Sequence, residues 1–359
     1  MRQEILTRRE CDAMRGLAII GIMLHNYCHF IGRIVKENEY QFLSINNDRL
    51  WQVLTSPDEL LPVHLLSYFG HYGVPVFLFL SGYGLVRKYE QGEGAAALPF
   101  LRYHYLKLLR MLIVGFSLFL VVDAVTPGRW AFHWENVVAQ LLMYINVLPD
   151  PDHTIWPGIY WFFGLMMQLY IVYRLLLYRR SSLWVGLLVG LCWLLQATCD
   201  PDGDTLNRLR YNCIGGLLPF GLGIVTGRAA MREAPHWLRA DWLTAMGQRW
   251  ILLLTAVLSA GLTVAMSFSF QAWLWIPVVI ITGCAALVKA LPDAALRPIV
   301  WTGGISAAMF VAHPIARKLF ITVAWKQDIY DGLMLYVVAT IALSWAAARM
   351  IEQIPKPRL

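Results

Sequence analysis

Long apolar runs separated by short polar segments make up most of the chain. A helix that crosses a bilayer needs about 20 largely apolar residues, because roughly 30 Å of hydrocarbon is crossed at about 1.5 Å per residue. The pattern therefore predicts an all-α polytopic membrane protein with about ten transmembrane helices. The candidate runs are 14–35, 65–87, 100–124, 134–148, 158–178, 182–199, 210–230, 250–268, 272–291, 299–321 and 332–351.

The run 134–148 is predicted to be a short or re-entrant outer helix rather than a span. It is short and opens with Glu135 and Asn136. If it crossed the membrane, the segment PDPDHT that follows would face the cytoplasm without any Lys or Arg. Cytoplasmic segments usually carry an excess of these residues.

The basic residues predict the orientation of the remaining spans. With 134–148 left out, most of the 30 Lys and Arg residues fall on one side of the membrane. The positive-inside rule then places both termini and the loop 231–249 in the cytoplasm, and the loop 36–64 outside. These loops are too short for a soluble domain. We expect one multi-pass domain over residues 1–359, in the cytoplasmic (inner) membrane of the cell.

Composition supports this reading and excludes others. The chain is 58% hydrophobic and only 15% charged, with a mean hydropathy of +0.53, whereas soluble domains are nearer one quarter charged. The net charge of +7 does not indicate a nucleic-acid partner, because the basic residues lie at the ends of apolar runs. The six cysteines are scattered without C-x-x-C spacing and are expected to be core residues. The first run lacks a convincing cleavage site and is expected to be retained.

The first run, MRGLAIIGIMLHNYCHF (14–30), contains three ionisable residues: Arg15, His25 and His29. Such residues at bilayer depth are destabilising unless they are paired or face a wet cavity, so they indicate function by default. Other interpretations remain open: His25 could form only a hydrogen bond to a neighbouring helix, and Arg15 could extend to the membrane surface. No metal site is predicted, because no carboxylate or thiolate run accompanies the two histidines.

Seven segments, the first of which overlaps this run, contain polar residues or glycines at distinctive spacings. In this order, and over nearly the whole chain, they resemble the motifs of acyltransferase family 3, a family of integral-membrane O-acyltransferases of glycans. The segments are DAMRGLAIIGIMLH (12–25), GVPVFLFLSGYGL (73–85), LRYHYLKLLRM (101–111), IYWFFGLMMQLYIVYRLL (159–176), PFGLGIVTGR (219–228), ISAAMFVAHP (305–314) and RMIEQIPKP (349–357).

The resemblance implies transfer of an acyl group, acetyl or succinyl, from cytoplasmic acyl-CoA to a hydroxyl of an extracytoplasmic or lipid-linked glycan. Such a transfer needs a base for the hydroxyl proton, and an imidazole has a suitable pKa. His25 is the candidate general base, and Arg15, in the same motif, is a second candidate catalytic residue. His313 is expected to orient the acceptor or stabilise the oxyanion, although it could instead be a packing contact between helices.

The donor's phosphates would be bound by Arg102, Lys107 and Arg110, which lie where the third span enters from the cytoplasm. Ordinary anchoring beside anionic lipid is the alternative for this cluster. Acyl-CoA is expected as a co-substrate, with no permanently bound cofactor.

Other residues of the motifs have weaker assignments. Ser81 could carry the acyl group covalently, but Ser-Gly pairs in membrane helices more often serve close packing. The remaining candidates are His71, Trp161 and Gln168 for the acceptor site or packing, and Asp12 and Glu352 as structural motif residues.

Two positions depart from the family's pattern. His25 follows Arg15 by ten positions, where the family usually has eleven, and ten helical steps leave an offset of about 80° around the axis. Either a local π-bulge restores the alignment, or Arg15 points to a different site. In addition, Met166 stands where many members carry a Glu, so acceptor details that depend on that carboxylate do not carry over.

Two other classes of function remain open at this level. The protein could transport or export a glycan or an acyl group without acyl-transfer chemistry of its own, since ionisable residues at midplane also mark permeation paths. It could also be a structural subunit of an envelope polysaccharide machine. Release of free CoA distinguishes the enzyme from both. The sequence does not indicate the acceptor sugar or the oligomeric state.

Overall fold

A computed structural model describes residues 5–92, 94–128, 130, 132–231, 245–326 and 328–358. Within these residues all regular elements are helical. The helices are α1 (Arg8–Cys28), α2 (Ser44–Thr55), α3 (Leu61–Phe69), α4 (Gly73–Tyr89), α5 (Ala97–Val125), α6 (Trp134–Leu141), α7 (Pro151–Thr154), α8 (Trp161–Val172), α9 (Ser182–Ala197), α10 (Asp204–Tyr211), α11 (Cys213–Ala229), α12 (Ala245–Met266), α13 (Phe270–Trp273), α14 (Ile276–Ala290), α15 (Asp293–Gly304), α16 (Ser306–Lys326) and α17 (Ile329–Gln353).

Six helical segments in the described part of the chain are long and apolar enough to cross a membrane. Three shorter apolar helices, α9, α11 and α14, follow the predicted runs as well. The all-helical membrane class is thus confirmed, while the count of ten spans and the cytoplasmic termini remain predictions. The six segments are Leu61–Tyr89, Ala97–Val125, Gly158–Leu177, Met246–Met266, Ser306–Lys326 and Ile329–Gln353.

The structure describes one of two predicted non-spanning segments and leaves most of the other outside the described residues. The run 134–148 forms the short helix α6, which ends before Met143 adopts a positive φ of 59°, and a 3-10 turn at Ile145–Val147. The predicted cytoplasmic loop 231–249 lies largely outside the described residues.

The first helix is fixed at its start by local chemistry and along its length by close packing. Thr7 and Glu10 form a capping box, in which the Thr7 side chain accepts from the Glu10 backbone N–H and Glu10 accepts from the Thr7 backbone N–H. Gly16 lies against the backbone carbonyl of Ile299 in α15, so close that a Cβ there would clash. α1 therefore lies in the middle of the bundle, with α3, α4, α14, α15 and α16 packed around it.

Two buried ion pairs connect helices on either side of this bundle. Arg228 of α11 donates two hydrogen bonds of 2.8 Å to Glu90, which directly follows α4. Lys318 of α16 pairs with Asp123 of α5 at 2.8 Å. Loss of one partner would leave an unpaired buried charge, which typically destabilises a protein by about 3–5 kcal/mol. These pairs hold α4, α5, α11 and α16 in register around the cavities described next.

Candidate functional site

Two cavities that contain ionisable side chains lie between α1, α4, α8 and α16. The first, with a volume of about 310 Å³, is called the histidine cavity because it is lined by His25, His29 and His71. The second, of about 360 Å³, is called the lysine cavity because it is lined by Lys88 and Lys107. Both are within the size range of small-molecule sites.

His25 is buried in α1 with one ring nitrogen committed to a backbone group. Its Nδ1 lies 2.7 Å from the carbonyl oxygen of Ser67, and because a carbonyl oxygen can only accept, Nδ1 carries the proton. In the neutral ring Nε2 is therefore the atom with the free lone pair. The Ser67 hydroxyl in turn donates to the Val35 carbonyl at 2.7 Å, so the carbonyl that orients His25 is itself fixed. This arrangement suits Nε2 to accept a proton.

His29, one turn further along α1, forms a hydrogen bond with a carboxylate that the sequence did not indicate. Its Nδ1 lies 2.9 Å from Glu37 Oε2, and its ring centroid lies 5.3 Å from that of His25. Burial by itself raises the pKa of the Glu37 carboxyl, but the neighbouring His29 and His25 rings outweigh burial and hold that pKa below its ordinary value. Glu37 therefore brings a negative charge close to the candidate base.

The same three side chains could also hold a metal ion. One ligand atom from each of His25, His29 and Glu37 lies within 4.8 Å of the others. Imidazole and carboxylate ligands suit zinc and similar metals. However, the hydrogen bond between His29 and Glu37 already accounts for two of these groups, and the expectation of no metal remains a prediction.

The two other histidines of the motifs occupy different positions. His71 lines the histidine cavity, its ring lies 5.5 Å from that of His25, and neither of its nitrogens forms a hydrogen bond within the described residues. His313 is fully buried in α16, where its Nδ1 lies 3.0 Å from the Met309 carbonyl. His313 lines neither cavity. The structure thus brings His71 rather than His313 to the wall of the cavity.

One wall of the histidine cavity consists of aromatic rings and carboxyl groups. The rings of Tyr40 and Tyr211 stack with centroids 3.8 Å apart, and Trp161 meets both edge-on. The Tyr211 hydroxyl donates to Asp152 at 2.6 Å. Burial, and to a smaller extent the negative charge of the neighbouring Glu37, raises the pKa of the Glu39 carboxyl to about 8. Aromatic faces together with hydrogen-bonding carboxyl groups suit a polar ligand with apolar ring faces, such as a sugar.

Arg317 stands in another part of the same cavity. It lies one turn beyond His313 in α16, its side chain is buried, and its Nη1 donates to Asn26 Oδ1 at 2.6 Å. Its guanidinium lies 3.7 Å from the centroid of the Phe30 ring. The sequence contained a signal for this residue, since an arginine inside the run 299–321 is itself unusual.

The lysine cavity contains the other basic residues. Arg15 lines it together with Lys88 and Lys107, while Arg15 also pairs with Asp12 at 2.6 Å. The Lys88 ammonium lies 4.7 Å from the centroid of the Tyr103 ring. Three cations around one cavity form a suitable site for phosphate groups.

The predicted cluster of Arg102, Lys107 and Arg110 does not converge on one site. Only Lys107 lines the lysine cavity. Arg110 donates from Nη2 to the Ile351 carbonyl of α17 at 2.7 Å, and Arg102 is exposed. The three residues belong to one helix, but their spacing distributes them around it. Lys88 takes the place beside Lys107 that the sequence suggested for the arginines.

The spacing between Arg15 and His25 has a clear structural outcome. α1 is a regular α-helix from Arg8 to Cys28, without a π-bulge. Arg15 therefore faces the lysine cavity and His25 the histidine cavity. Of the two alternatives drawn from the sequence, the second holds: these residues point to different sites. Ten residues of helix separate them by about 15 Å along the axis.

A thin apolar wall separates the two cavities. Ile22, Val74, Phe162 and Phe310 line both. The rings of Phe162 and Phe310 lie 5.2 Å apart at their centroids. The side chains of these four residues therefore contact both cavities.

The remaining motif residues have mainly local contacts. Ser81 lines the lysine cavity, and the adjacent Gly82 packs closely against the Phe220 carbonyl of α11.

Gln168 connects α8 to α11, since its amide donates to Asn212 at 2.7 Å and its carbonyl oxygen accepts from the Cys213 N–H at 2.8 Å. Met166, where the family often has Glu, lines the lysine cavity. Glu352 forms an exposed pair with Arg349.

Comparison with known proteins agrees with this architecture. A family model described as "Acyltransferase domain", of acyltransferase family 3, matches residues 8–349, which is nearly the whole chain. No curated protein and no solved structure matches the chain. The family and the apolar helices support a membrane acyltransferase. The chain therefore belongs to acyltransferase family 3.

Proposed function

We propose that the protein transfers an acyl group, acetyl or succinyl, from acyl-CoA to a hydroxyl of an extracytoplasmic or lipid-linked glycan. The observation that carries this proposal is the placement of His25. Its Nδ1 is committed to the Ser67 carbonyl, which leaves Nε2 as a base in a cavity that shares a wall with a cationic cavity. One side of that wall suits a sugar, and the other suits a phosphorylated donor.

The donor would enter the lysine cavity with its phosphates near Lys88, Lys107 and Arg15. Charge-assisted contacts of this kind bind phosphate strongly. The thioester end would then reach past Phe162 and Phe310 towards His25. A predicted cytoplasmic mouth for the lysine cavity agrees with the cytoplasmic origin of acyl-CoA.

In the proposed reaction the acceptor hydroxyl lies in the histidine cavity beside His25. Nε2 takes the hydroxyl proton as the acceptor oxygen attacks the thioester carbonyl carbon. The tetrahedral intermediate collapses, the carbon–sulfur bond breaks, and the CoA sulfur leaves and receives the proton from Nε2. Glu37, whose carboxylate lies within 4.8 Å of a His25 ring nitrogen, supports the transient imidazolium by its negative charge. The products are the acylated glycan and free CoA.

The deciding experiment follows free CoA and the acylated glycan together. Purified protein in lipid vesicles would be supplied with acetyl-CoA or succinyl-CoA and with glycans from the parent cell, and free thiol would be measured over time. Mass spectrometry of surface glycans with and without the gene would identify the acyl group and the acceptor from the mass lost. Glycan-dependent CoA release supports the enzyme. Movement of glycan without CoA release would favour a transporter, and neither activity would favour a structural subunit.

A further inference from the structure

Arg317 is a buried cation without an anionic partner among the described residues. It lies in α16, within a segment apolar enough to span the membrane, and only 4% of the residue is exposed. No carboxylate in the described part of the chain forms an ion pair with it, and its polar contacts there are to the side chain and carbonyl of Asn26. A buried charge without a counter-charge is strongly destabilising, so such residues usually mark a ligand or ion path.

The guanidinium is held in place with one edge free. Nη1 donates to Asn26 Oδ1 at 2.6 Å, and the plane of the group lies against Phe30. Its Nε and Nη2 atoms donate to no acceptor among the described residues. These two atoms form one edge of the guanidinium fork, which matches two oxygens of a carboxylate or phosphate. The residue also lines the histidine cavity, so a ligand there could reach this edge.

The carboxyl groups of the cavity have other partners. Glu37 pairs with His29, and Asp152 accepts from Tyr211 and Asn207. Glu39 has a pKa raised to about 8 by burial and by Glu37, so its carboxyl is mainly neutral at pH 7. These carboxyl groups suit sugar hydroxyls. The free edge of the Arg317 guanidinium instead suits an anionic group with two oxygens.

We infer that Arg317 binds an anionic group of the acceptor, so that the glycan acylated by this protein carries a carboxylate or a phosphate close to the reacting hydroxyl. The inference rests on the proposed function, because it takes the histidine cavity as the acceptor site. It adds a specificity-determining residue and a substrate class: an acidic sugar, or a sugar phosphate as in a lipid-linked glycan. Both share the pair of anionic oxygens that the free guanidinium edge fits.

The test measures binding and needs no acyl transfer. The full-length protein in nanodiscs would be titrated with methyl β-glucuronide, with the matched neutral methyl β-glucoside, and with glucose 1-phosphate, using calorimetry or tryptophan fluorescence. We expect the parent protein to bind at least one anionic probe about tenfold or more tighter than the glucoside, as charge-assisted hydrogen bonds would give. Preference for the glucuronide indicates a sugar acid, and preference for the phosphate indicates a phosphorylated acceptor.

The variants assign that preference to the residue. Arg317→Gln should bind all three probes alike, and Arg317→Lys should keep a weaker preference, because lysine retains the charge without the fork. Arg33→Gln is the matched control, since it removes an exposed cation that lies outside both cavities, in the same predicted outer part of the protein. It should bind as the parent does.

Two results would overturn the inference. One is equal binding of the glucuronide, the phosphate and the glucoside by the parent protein, which requires no variant to fold. The other is an anion preference that persists unchanged in Arg317→Gln. Failure of the proposed function is recognised separately, because anion-selective binding without glycan-dependent CoA release would refute the enzyme and leave the anion site. CoA release with unselective binding would refute only the site.

Discussion

The histidine cavity and the lysine cavity share a wall, but their polar groups differ in kind. The lysine cavity contains the cations Arg15, Lys88 and Lys107 and no carboxylate lines it within the described residues. The histidine cavity has imidazoles and carboxyl groups with a single arginine. The first is suited to a strongly anionic group, and the second to proton transfer and to a ligand rich in hydroxyls. In the proposed reaction, the donor would occupy the lysine cavity and the acceptor the histidine cavity, and the two would meet at the shared wall.

The strictest test of this comparison is whether the two cavities open to opposite sides. In a cysteine-free background, a cysteine at the exposed Asp48 position should react with a membrane-impermeant maleimide added to intact cells. A cysteine at the exposed Arg249 position should react only after the membrane is opened. The distribution of basic residues motivates this expectation. Reversed labelling would place the lysine cavity on the outer side, where it could not receive cytoplasmic acyl-CoA.

The next largest effect is expected at His25. Loss of a general base typically lowers a rate by about 10²- to 10⁴-fold, whereas loss of an interhelical hydrogen bond lowers stability by about 0.6–2 kcal/mol. We therefore expect His25→Ala to be folded, to bind the donor and to be inactive in the CoA-release assay.

His29→Gln is the matched control for that variant. His29 lies one turn away on nearly the same face and lines the same cavity, and the glutamine amide can still donate to Glu37. It should keep most of the activity. If His25→Ala retained more than about a tenth of the parent rate per folded molecule, the base would have to be His71, the other histidine at the cavity wall.

A smaller effect should separate two basic residues of α5 that the sequence grouped together. Lys107 lines the lysine cavity, so Lys107→Ala should weaken acyl-CoA binding by about 5- to 150-fold, which corresponds to a lost contact of about 1–3 kcal/mol. Arg110→Ala should lower thermal stability instead, because Arg110 donates to α17. The measurements are the acyl-CoA dissociation constant and the melting temperature of each variant. Equal loss of donor affinity in both would favour the grouping suggested by the sequence.

The contrast between these two residues shows how far the sequence could predict the molecule. Apolar length predicted the helices well: the run 100–124 became Ala97–Val125, and the run 332–351 became Ile329–Gln353. The position of an apolar helix depends on composition over its whole length, so it can be predicted from a single sequence. The face that each basic residue presents depends on how α5 is rotated against its neighbours. That rotation is set by packing against distant segments, and the spacing within α5 alone does not contain it.

The candidate site shows the same limit more strongly. His25 could be identified because it interrupts an apolar run, and Arg317 carried the same signal without being recognised. Glu37 and Tyr40 could not be identified, because they lie in a polar segment where such residues are ordinary. They reach the cavity only because the chain after α1 folds back beneath it, where Trp273 donates to the Asn38 carbonyl at 2.9 Å. A contact across such a separation is determined by the complete fold.

The smallest effect sharpens the charge balance of the histidine cavity. Glu39 lines it with a pKa raised to about 8, and the charged or titratable groups that act on Glu39 are Glu37, Arg210, Tyr40 and Asp152. A carboxyl with a raised pKa is neutral below that value and ionised above it, so raising the pH through 8 adds a negative charge to the cavity.

Between pH 7 and pH 9 the affinity for whichever anionic probe the parent protein prefers should fall by about two- to fivefold, as expected for one screened charge at moderate distance. Glu39→Gln removes the titrating group and should give an affinity that does not change over this range, measured by the same titration. An equally steep decline in Glu39→Gln would show that another group titrates, and a flat profile in the parent protein would show that the charge of Glu39 does not reach the ligand bound at Arg317.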